Sequence, residues 1–281
     1  MLSFPLSLLP VKGGELLGLL LHYVWKSRRT IAVDNLKKSV ALNVLSISES
    51  PEEVIKESFR NLGRSFVEIV KVYCGTGRTI LEKTVIRGMD NFEKARAKGK
   101  GVILITGHCG NWELLAILSS YKVAPLSVVV RPLNNPYLNT FLLKARSRFG
   151  NRVIDKKGAL RAILATLKDG GMVGILMDQA VLPDEGYVVG FLGRGAWTTK
   201  MPALLARKTG APAVPAFIRR TGEGHEIIVH PEVSLSSKSS QEEAVREDTQ
   251  RFSGFVEEYI RQNPSQWLWI HRRWKRVPED E

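Results

Sequence analysis

In Gly101-Val102-Ile103-Leu104-Ile105-Thr106-Gly107-His108-Cys109-Gly110-Asn111-Trp112-Glu113-Leu114-Leu115-Ala116 an unbroken, β-branched apolar run meets two glycines and a histidine, and then a helical pattern begins. A short continuous apolar run of this kind predicts a strand buried on both faces. His108 falls just beyond its end, and a helix opens around Asn111. In an open α/β sheet, ligands gather beyond the carboxyl ends of the strands. On a continuous helix, residues five apart point about 140° away from each other. Gly107 and Gly110 instead permit a loop that folds His108 back toward Glu113. A carboxylate on one imidazole nitrogen fixes the tautomer and leaves the other nitrogen to take a proton from a hydroxyl. The same residues also read as a turn histidine followed by an acid at a helix start, where the helix dipole favours acids. Spacing alone leaves both readings open.

Outward from this stretch, short β-branched runs at Val102 to Ile105, Val128 to Val130 and Val173 to Met177 alternate with helical segments from about residue 85 onward. That alternation predicts an α/β fold with a mixed, mostly parallel sheet flanked by helices. Asn135 before Pro136 opens one helix and Gly150 follows its end; Gly170 and Gly171 close another. A strand pair (Ala213 to Ile218, Ile227 to His230), a serine-rich loop over 234–240 and a long helix over 241–262 follow. Upstream, Ser50-Pro51 with Glu53 forms a capping box with proline at the first helical position. From there Ile55, Phe59, Leu62, Phe66, Ile69, Val70 and Tyr73 recur every three or four residues, up to the Gly75–Gly77 break.

The first 25 residues are apolar but interrupted by Pro5, Pro10, Lys12 and Glu15, leaving Leu16 to Trp25 as the longest clean run. That is half of the roughly 20 residues a spanning helix needs. With Tyr23, Trp25 and the basic Lys26, Arg28 and Arg29, the segment reads as an interfacial anchor with its basic end on the cytoplasmic side; a buried N-terminal helix is the alternative. The expected organisation is an anchor over 1–30 and a single domain over 31–281. Forty-one Lys and Arg against 28 Asp and Glu give a formal charge of +13, a bias toward anionic lipids, nucleic acids or acidic proteins. The two cysteines, Cys74 and Cys109, exclude a disulfide framework.

The motifs of serine hydrolases (Gly-x-Ser-x-Gly), P-loop NTPases (Gly-x4-Gly-Lys-Ser/Thr) and zincins (His-Glu-x-x-His) do not occur. His225 and His230 are an odd number apart on a strand and face opposite sides, so no metal site is expected. Cys109 offers a thiol nucleophile only if it can converge with its neighbour His108 on a tight turn. A non-catalytic basic protein that binds anionic lipid through charge is a further alternative.

Gly107-His108-Cys109-Gly110-Asn111-Trp112-Glu113 resembles the His-x4-Asp/Glu motif of the bacterial lipid A late acyltransferases, the lauroyl and myristoyl transferases. Arg131-Pro132-Leu133-Asn134-Asn135-Pro136, Gly174-Ile175-Leu176-Met177-Asp178-Gln179, Phe191-Leu192-Gly193 with Ala196 and Thr198, and Gln266 to Lys275 resemble that family's blocks in the same order. The resemblance implies a glycerolipid-acyltransferase-like fold and no cofactor. It implies His108 as the base that deprotonates the acceptor hydroxyl and Glu113 as the acid that orients it. It implies an acyl carrier protein thioester as donor, an anionic glycolipid such as a lipid A precursor as acceptor, and no nucleic acid. The place implied is the cytoplasmic face of a bacterial inner membrane. Arg131, at the end of a valine-rich strand, is a candidate for holding an acceptor phosphate or carboxylate, against a solvated strand-end arginine. Asp178 ends another strand at the same edge and joins Arg131 as a candidate at the substrate site, against a turn cap. Asn135 is explained as an N-cap. Trp267, Trp269 and Trp274, interleaved with Arg272, Arg273, Lys275 and Arg276, suit a membrane interface or an acidic carrier, or else pack in the core.

Overall fold

The computed structural model describes residues 7–130, 134–155, 158–222 and 224–277. Helices α1 (Gly13–Val24), α2 (Lys26–Ala41) and α3 (Pro51–Cys74) make up most of the described N-terminal portion. The Ser50 hydroxyl accepts from the Glu53 N–H and Gly75 takes a left-handed conformation at the other end, so α3 has the limits its capping box and glycine break predict. A short helix α4 (Arg78–Lys83) then leads into the α/β portion.

That portion runs β1 (Val85–Arg87), α5 (Met89–Arg96), β2 (Val102–Thr106), α6 (Trp112–Lys122), β3 (Leu126–Val130), α7 (Pro136–Ser147), β4 (Arg152–Asp155), α8 (Ala159–Lys168) and β5 (Met172–Leu176). A hairpin of β6 (Gly186–Phe191) and β7 (Arg194–Thr199) follows, then α9 (Met201–Thr209), β8 (Ala213–Thr221), β9 (Gly224–Val229) and α10 (Gln241–Gln262). Among the described residues, seven strands form one sheet in the order β1-β9-β8-β2-β5-β3-β4. Among the described residues of this sheet only the β8–β9 pairing is antiparallel, so the expected mixed, mostly parallel α/β sheet is what the chain builds. Every residue of β2 is buried. Ile103 and Ile105 pack on one face with Ile163, Leu167, Ala203 and Phe252, while Val102 and Leu104 pack on the other with Phe92, Leu114 and Leu118. This period-two division is why the run is apolar throughout, and each such side chain contributes roughly 1.5–3 kcal/mol.

The N-terminal segment is not one long helix. It breaks at Trp25, and no helix among the described residues is long and apolar enough to cross a membrane. Gly14 and Gly18 of α1 lie so close to Gly63 and Phe59 of α3 that a β-carbon at any of the three glycines would strike the opposing backbone. Glu15 pairs with Arg64 at 2.9 Å across the same crossing. The inner face of α1 is therefore Gly14, Gly18 and His22, with Leu21 packed beside it against the core, while Leu16 and Leu20 point outward, 71% and 58% exposed. Helix α2 runs across residue 30, and its Asn35 donates to the carbonyls of Trp269 and His271 at 3.0 and 2.9 Å. The C-terminal segment is thereby tied to the first helices.

Candidate active site

β2 and β5 are parallel neighbours with Thr106 opposite Leu176. Two residues past that last register pair, His108 and Asp178 stand side by side at the carboxyl edge of the sheet. His108 Nδ1 lies 2.8 Å from Asp178 Oδ1, and the His108 backbone N–H donates to Asp178 Oδ2 at 2.8 Å. The Trp267 indole N–H donates to the same Oδ2 at 2.7 Å. Asp178 is almost wholly buried. Burial pushes its carboxyl up, but the charge and hydrogen bonds of His108, together with the Trp267 indole, outweigh burial and hold it well below the carboxylate range. A carboxylate accepts only, so the imidazole proton sits on Nδ1 and a neutral ring leaves Nε2 as a base.

The structure brings to His108 a different carboxylate from the one its spacing offered. Glu113 lies in the first turn of α6, and both its oxygens accept from the Arg146 guanidinium on α7, at 2.8 and 2.5 Å. The backbone explains the divergence. Gly110 turns at φ +55°, where a β-carbon would also strike the Ile218 carbonyl, and the helix starts only after the Asn111 cap, so Glu113 leaves the loop along the α6–α7 side. Trp112 packs edge-on against the imidazole with ring centres 5.0 Å apart. Arg131 lies outside the described residues; β3, which precedes it, borders β5 on the side away from β2. Asn135 caps α7 through two backbone N–H groups, as expected.

The histidine loop is held from both sides. Gly110 N–H donates to the Gln266 carbonyl at 2.6 Å, and Leu268 N–H donates to the His108 carbonyl at 3.1 Å. Trp267 and Trp269 are buried in the core, which settles the reading of those two, while Arg194 stacks on the Trp274 ring at 3.4 Å. Arg273, also buried, donates to the Trp197 carbonyl and to Thr198 Oγ1 at 2.5 Å each. Cys109 is buried too, and burial, with Asp178 nearby, raises its thiol well above the ordinary range. A nucleophilic thiolate is disfavoured there.

Beneath the loop, Asn111 Nδ2 donates to Glu68 Oε2 at 2.9 Å while its Oδ1 caps α6. Glu68, on α3, also binds Arg220 through both oxygens and His225 Nε2 at 3.0 Å. Burial pushes the Glu68 carboxyl up, but its bonds to His225 and Arg220 prevail and hold it at about 2, below its ordinary 4.5. A depressed folded-state carboxyl contributes stability that is complete above its unfolded value and is lost as pH falls through the folded one. Between pH 4.5 and about 2, wild-type protein should therefore lose melting temperature more steeply than Glu68→Gln. At neutral pH the variant should be less stable by ~2 kcal/mol. Parallel thermal melts across that range check both.

Sequence reasoning passed over Glu68, Arg146, Gln179 and the Trp267 indole. Each meets the site through a contact more than 30 residues distant in the chain, and no local pattern announces such contacts.

Residues 4–276 match the family model described as bacterial lipid A biosynthesis acyltransferase. Among curated proteins, the chain is 26% identical to the lipid A biosynthesis palmitoleoyltransferase of Escherichia coli K12, over 95% of this chain and 85% of that protein. It is 28% identical to the lipid A biosynthesis lauroyltransferase of the same strain, over 94% and 84%. It is 25% identical to the phosphatidylinositol mannoside acyltransferase of Mycobacterium tuberculosis H37Rv, over 86% and 77%. With the match running nearly end to end, the chain belongs to the bacterial lipid A biosynthesis acyltransferase family and is an acyltransferase, and a purely lipid-binding role falls away.

Proposed function

We propose that this chain transfers a fatty acyl group from an acyl carrier protein thioester to a hydroxyl of a lipid A precursor or related anionic glycolipid, with His108 as general base and Asp178 as the carboxylate that orients it. The observation that carries this reading is the 2.8 Å contact of His108 Nδ1 with Asp178 at the carboxyl edge of the sheet. His108 Nε2 takes the proton of the acceptor hydroxyl as its oxygen attacks the thioester carbonyl carbon. The tetrahedral intermediate collapses with loss of the thiolate, and the imidazolium returns the proton to sulfur. The buried Asp178 stabilises the imidazolium between these two steps. Glu113 and its partner Arg146 brace α6 against α7 beside the site.

Residues 1–30 act in this reading as the attachment of a single domain, 31–281, to the cytoplasmic face of a bacterial inner membrane. The outward Leu16, Leu20, Tyr23 and Val24, next to Lys26, Arg28 and Arg29, present the apolar face and cationic rim that an anionic lipid surface takes up. A net charge of +13 favours both that surface and an acidic carrier protein.

Acyl transfer from a series of acyl carrier protein thioesters to a panel of anionic glycolipids in detergent tests the whole reading. His108→Ala should lose the base's share of the rate, on the order of 10²–10⁴-fold, yet still sediment with anionic vesicles. Glu at both Leu16 and Leu20 should do the reverse, transferring in detergent but failing to sediment. Transfer that persists in His108→Ala removes the general-base assignment. Sedimentation that persists in the double variant removes α1 from the membrane surface.

A further inference from the structure

Arg273 is fully buried, yet it lacks the partner that a buried charge ordinarily has. Its two terminal nitrogens donate to neutral acceptors on β7, the Trp197 carbonyl and Thr198 Oγ1, at 2.5 Å each, and its Nε has no partner. The guanidinium carbon stands 4.6 Å from the centre of the Phe191 ring. Among the described residues no carboxylate forms an ion pair with it. Two neutral acceptors and an aromatic ring call for a donor, not for a full charge, and a buried cation without an anion is costly.

The complementary charge is that of Asp178. This carboxylate is also buried, and its hydrogen bonds go to His108 and the Trp267 indole, not to a permanent cation. Phe191, which faces the Arg273 guanidinium, lies 5.7 Å from the Trp267 ring, so buried contacts run without a break from Arg273 to Asp178. Burial pushes the guanidinium down to about 10, which leaves it charged at neutral pH; of the carboxylates that act on it, Asp178 outweighs Glu257 of α10.

On the acyl-transfer reading above, we propose that Arg273 is a positioning residue for the base, a buried cation whose field acts on the Asp178–His108 pair and keeps His108 unprotonated until the acceptor hydroxyl arrives. A buried carboxylate in contact with an imidazole favours the imidazolium. An imidazolium cannot take the acceptor's proton, so the contact that orients His108 also tends to disable it. A cation bonded directly to Asp178 would compete for the oxygens that hold the ring. A cation at one remove weakens the carboxylate's pull on the proton and leaves those oxygens to His108 and Trp267.

The other ionisable groups that face the pair do not change charge near neutral pH. Burial holds His271, on the same segment and also exposed to the charge of Lys275, down at about 4. It raises the Cys109 thiol and the Tyr259 hydroxyl on α10 well above their ordinary ranges. Glu113 pairs with Arg146 on the α6–α7 side, and Glu257 pairs with Arg261. Arg273 therefore brings to the pair a permanent charge that no ion-paired carboxylate cancels.

The test uses the full-length protein in detergent. It follows kcat/KM across pH for transfer from an acyl carrier protein thioester to a glycolipid. Independently of turnover, it follows the pH midpoint for modification of His108 by diethyl pyrocarbonate, which reacts with neutral imidazole, read from the mass of the peptide that carries it. Arg273→Met, similar in length and uncharged, should move both the acid limb and the midpoint up by about half a pH unit, the scale of one distant unit charge at an effective dielectric constant of roughly 20. Arg273→Gln, neutral but still a donor, gives the same reading if the methionine variant does not fold. Arg273→Lys keeps the charge and should leave both close to their wild-type positions. A merely structural role would lower the profile without moving its limb. An unmoved midpoint in a folded neutral variant, or an equal shift in Arg273→Lys, overturns the assignment of Arg273 alone. A wild-type protein that transfers no acyl group overturns the reading beneath it, and this assignment with it.

Discussion

Asparagine in place of Asp178 is expected to lower kcat by about 10⁴-fold, the scale seen when the carboxylate that orients a histidine base becomes an amide. The donor count at this residue gives the reason. Asp178 Oδ2 accepts from two groups, the His108 backbone N–H at 2.8 Å and the Trp267 indole at 2.7 Å, while among the described residues Oδ1 meets His108 Nδ1 alone. An asparagine has one oxygen, and the two fixed donors claim it, so the amide N–H₂ turns toward Nδ1. The imidazole must then accept at Nδ1 and carry its proton on Nε2, where the base is needed. Geometry survives and the lone pair is lost. Glu113→Gln is expected to cost far less, because its loss is an ion pair with Arg146 while the ring keeps its partner. Steady-state kinetics of both variants, with thermal melts to confirm folding, check the order. A larger loss in Glu113→Gln than in Asp178→Asn would return the orienting role to Glu113, the residue that the family motif points to.

The two carboxylates show what the sequence discloses and what it withholds. The strand ending at Thr106, the histidine beyond it and the helix start at Asn111 are local features, and all three are legible in an apolar run, two glycines and a cap. Asp178 is legible too, as a residue ending a strand at the same edge. That it touches His108 follows from β5 lying beside β2, although β3 and β4 intervene in the chain. No local pattern states strand order, whereas the five-residue spacing to Glu113 is visible at once. The β6–β7 hairpin was hidden for another reason. Its two-residue turn is Leu192-Gly193 with φ of 48° and 76°, and a buried leucine stands where Asn or Asp would have announced it. The outward leucines of α1 are apparent only once Gly14 and Gly18 are seen to form its inner face.

Trp267→Ala is expected to be the most destabilising single change at the site. The side chain is 2% exposed, meets Trp269 edge-on with ring centres 4.6 Å apart, and lies 5.7 Å from the Phe191 ring. Its removal leaves a cavity costing about 3–5 kcal/mol, and Asp178 is left short of a donor at a further ~1–3 kcal/mol. Against a typical total of roughly 5–15 kcal/mol, that is enough to unfold much of the population near physiological temperature. Trp267→Phe separates the two contributions. Phenylalanine keeps most of the packing but has no N–H, so its melting temperature should fall by much less. Its kcat should still drop by about tenfold, because one of the two donors that fix Asp178 Oδ2 is gone. The backbone on either side sharpens this expectation. Ser58 binds the Trp267 carbonyl at 2.8 Å and Leu268 N–H binds the His108 carbonyl at 3.1 Å, so the segment stays in register with the histidine loop when only the ring changes. Melting that falls equally in both variants would make the indole hydrogen bond, not the packed ring, the main contribution. Full activity in Trp267→Phe would mean that Asp178 holds the imidazole without help from the indole. The expected split, a stable but slow phenylalanine variant beside an unstable alanine one, follows from a single side chain that supports the C-terminal core with its ring and the candidate base with its nitrogen.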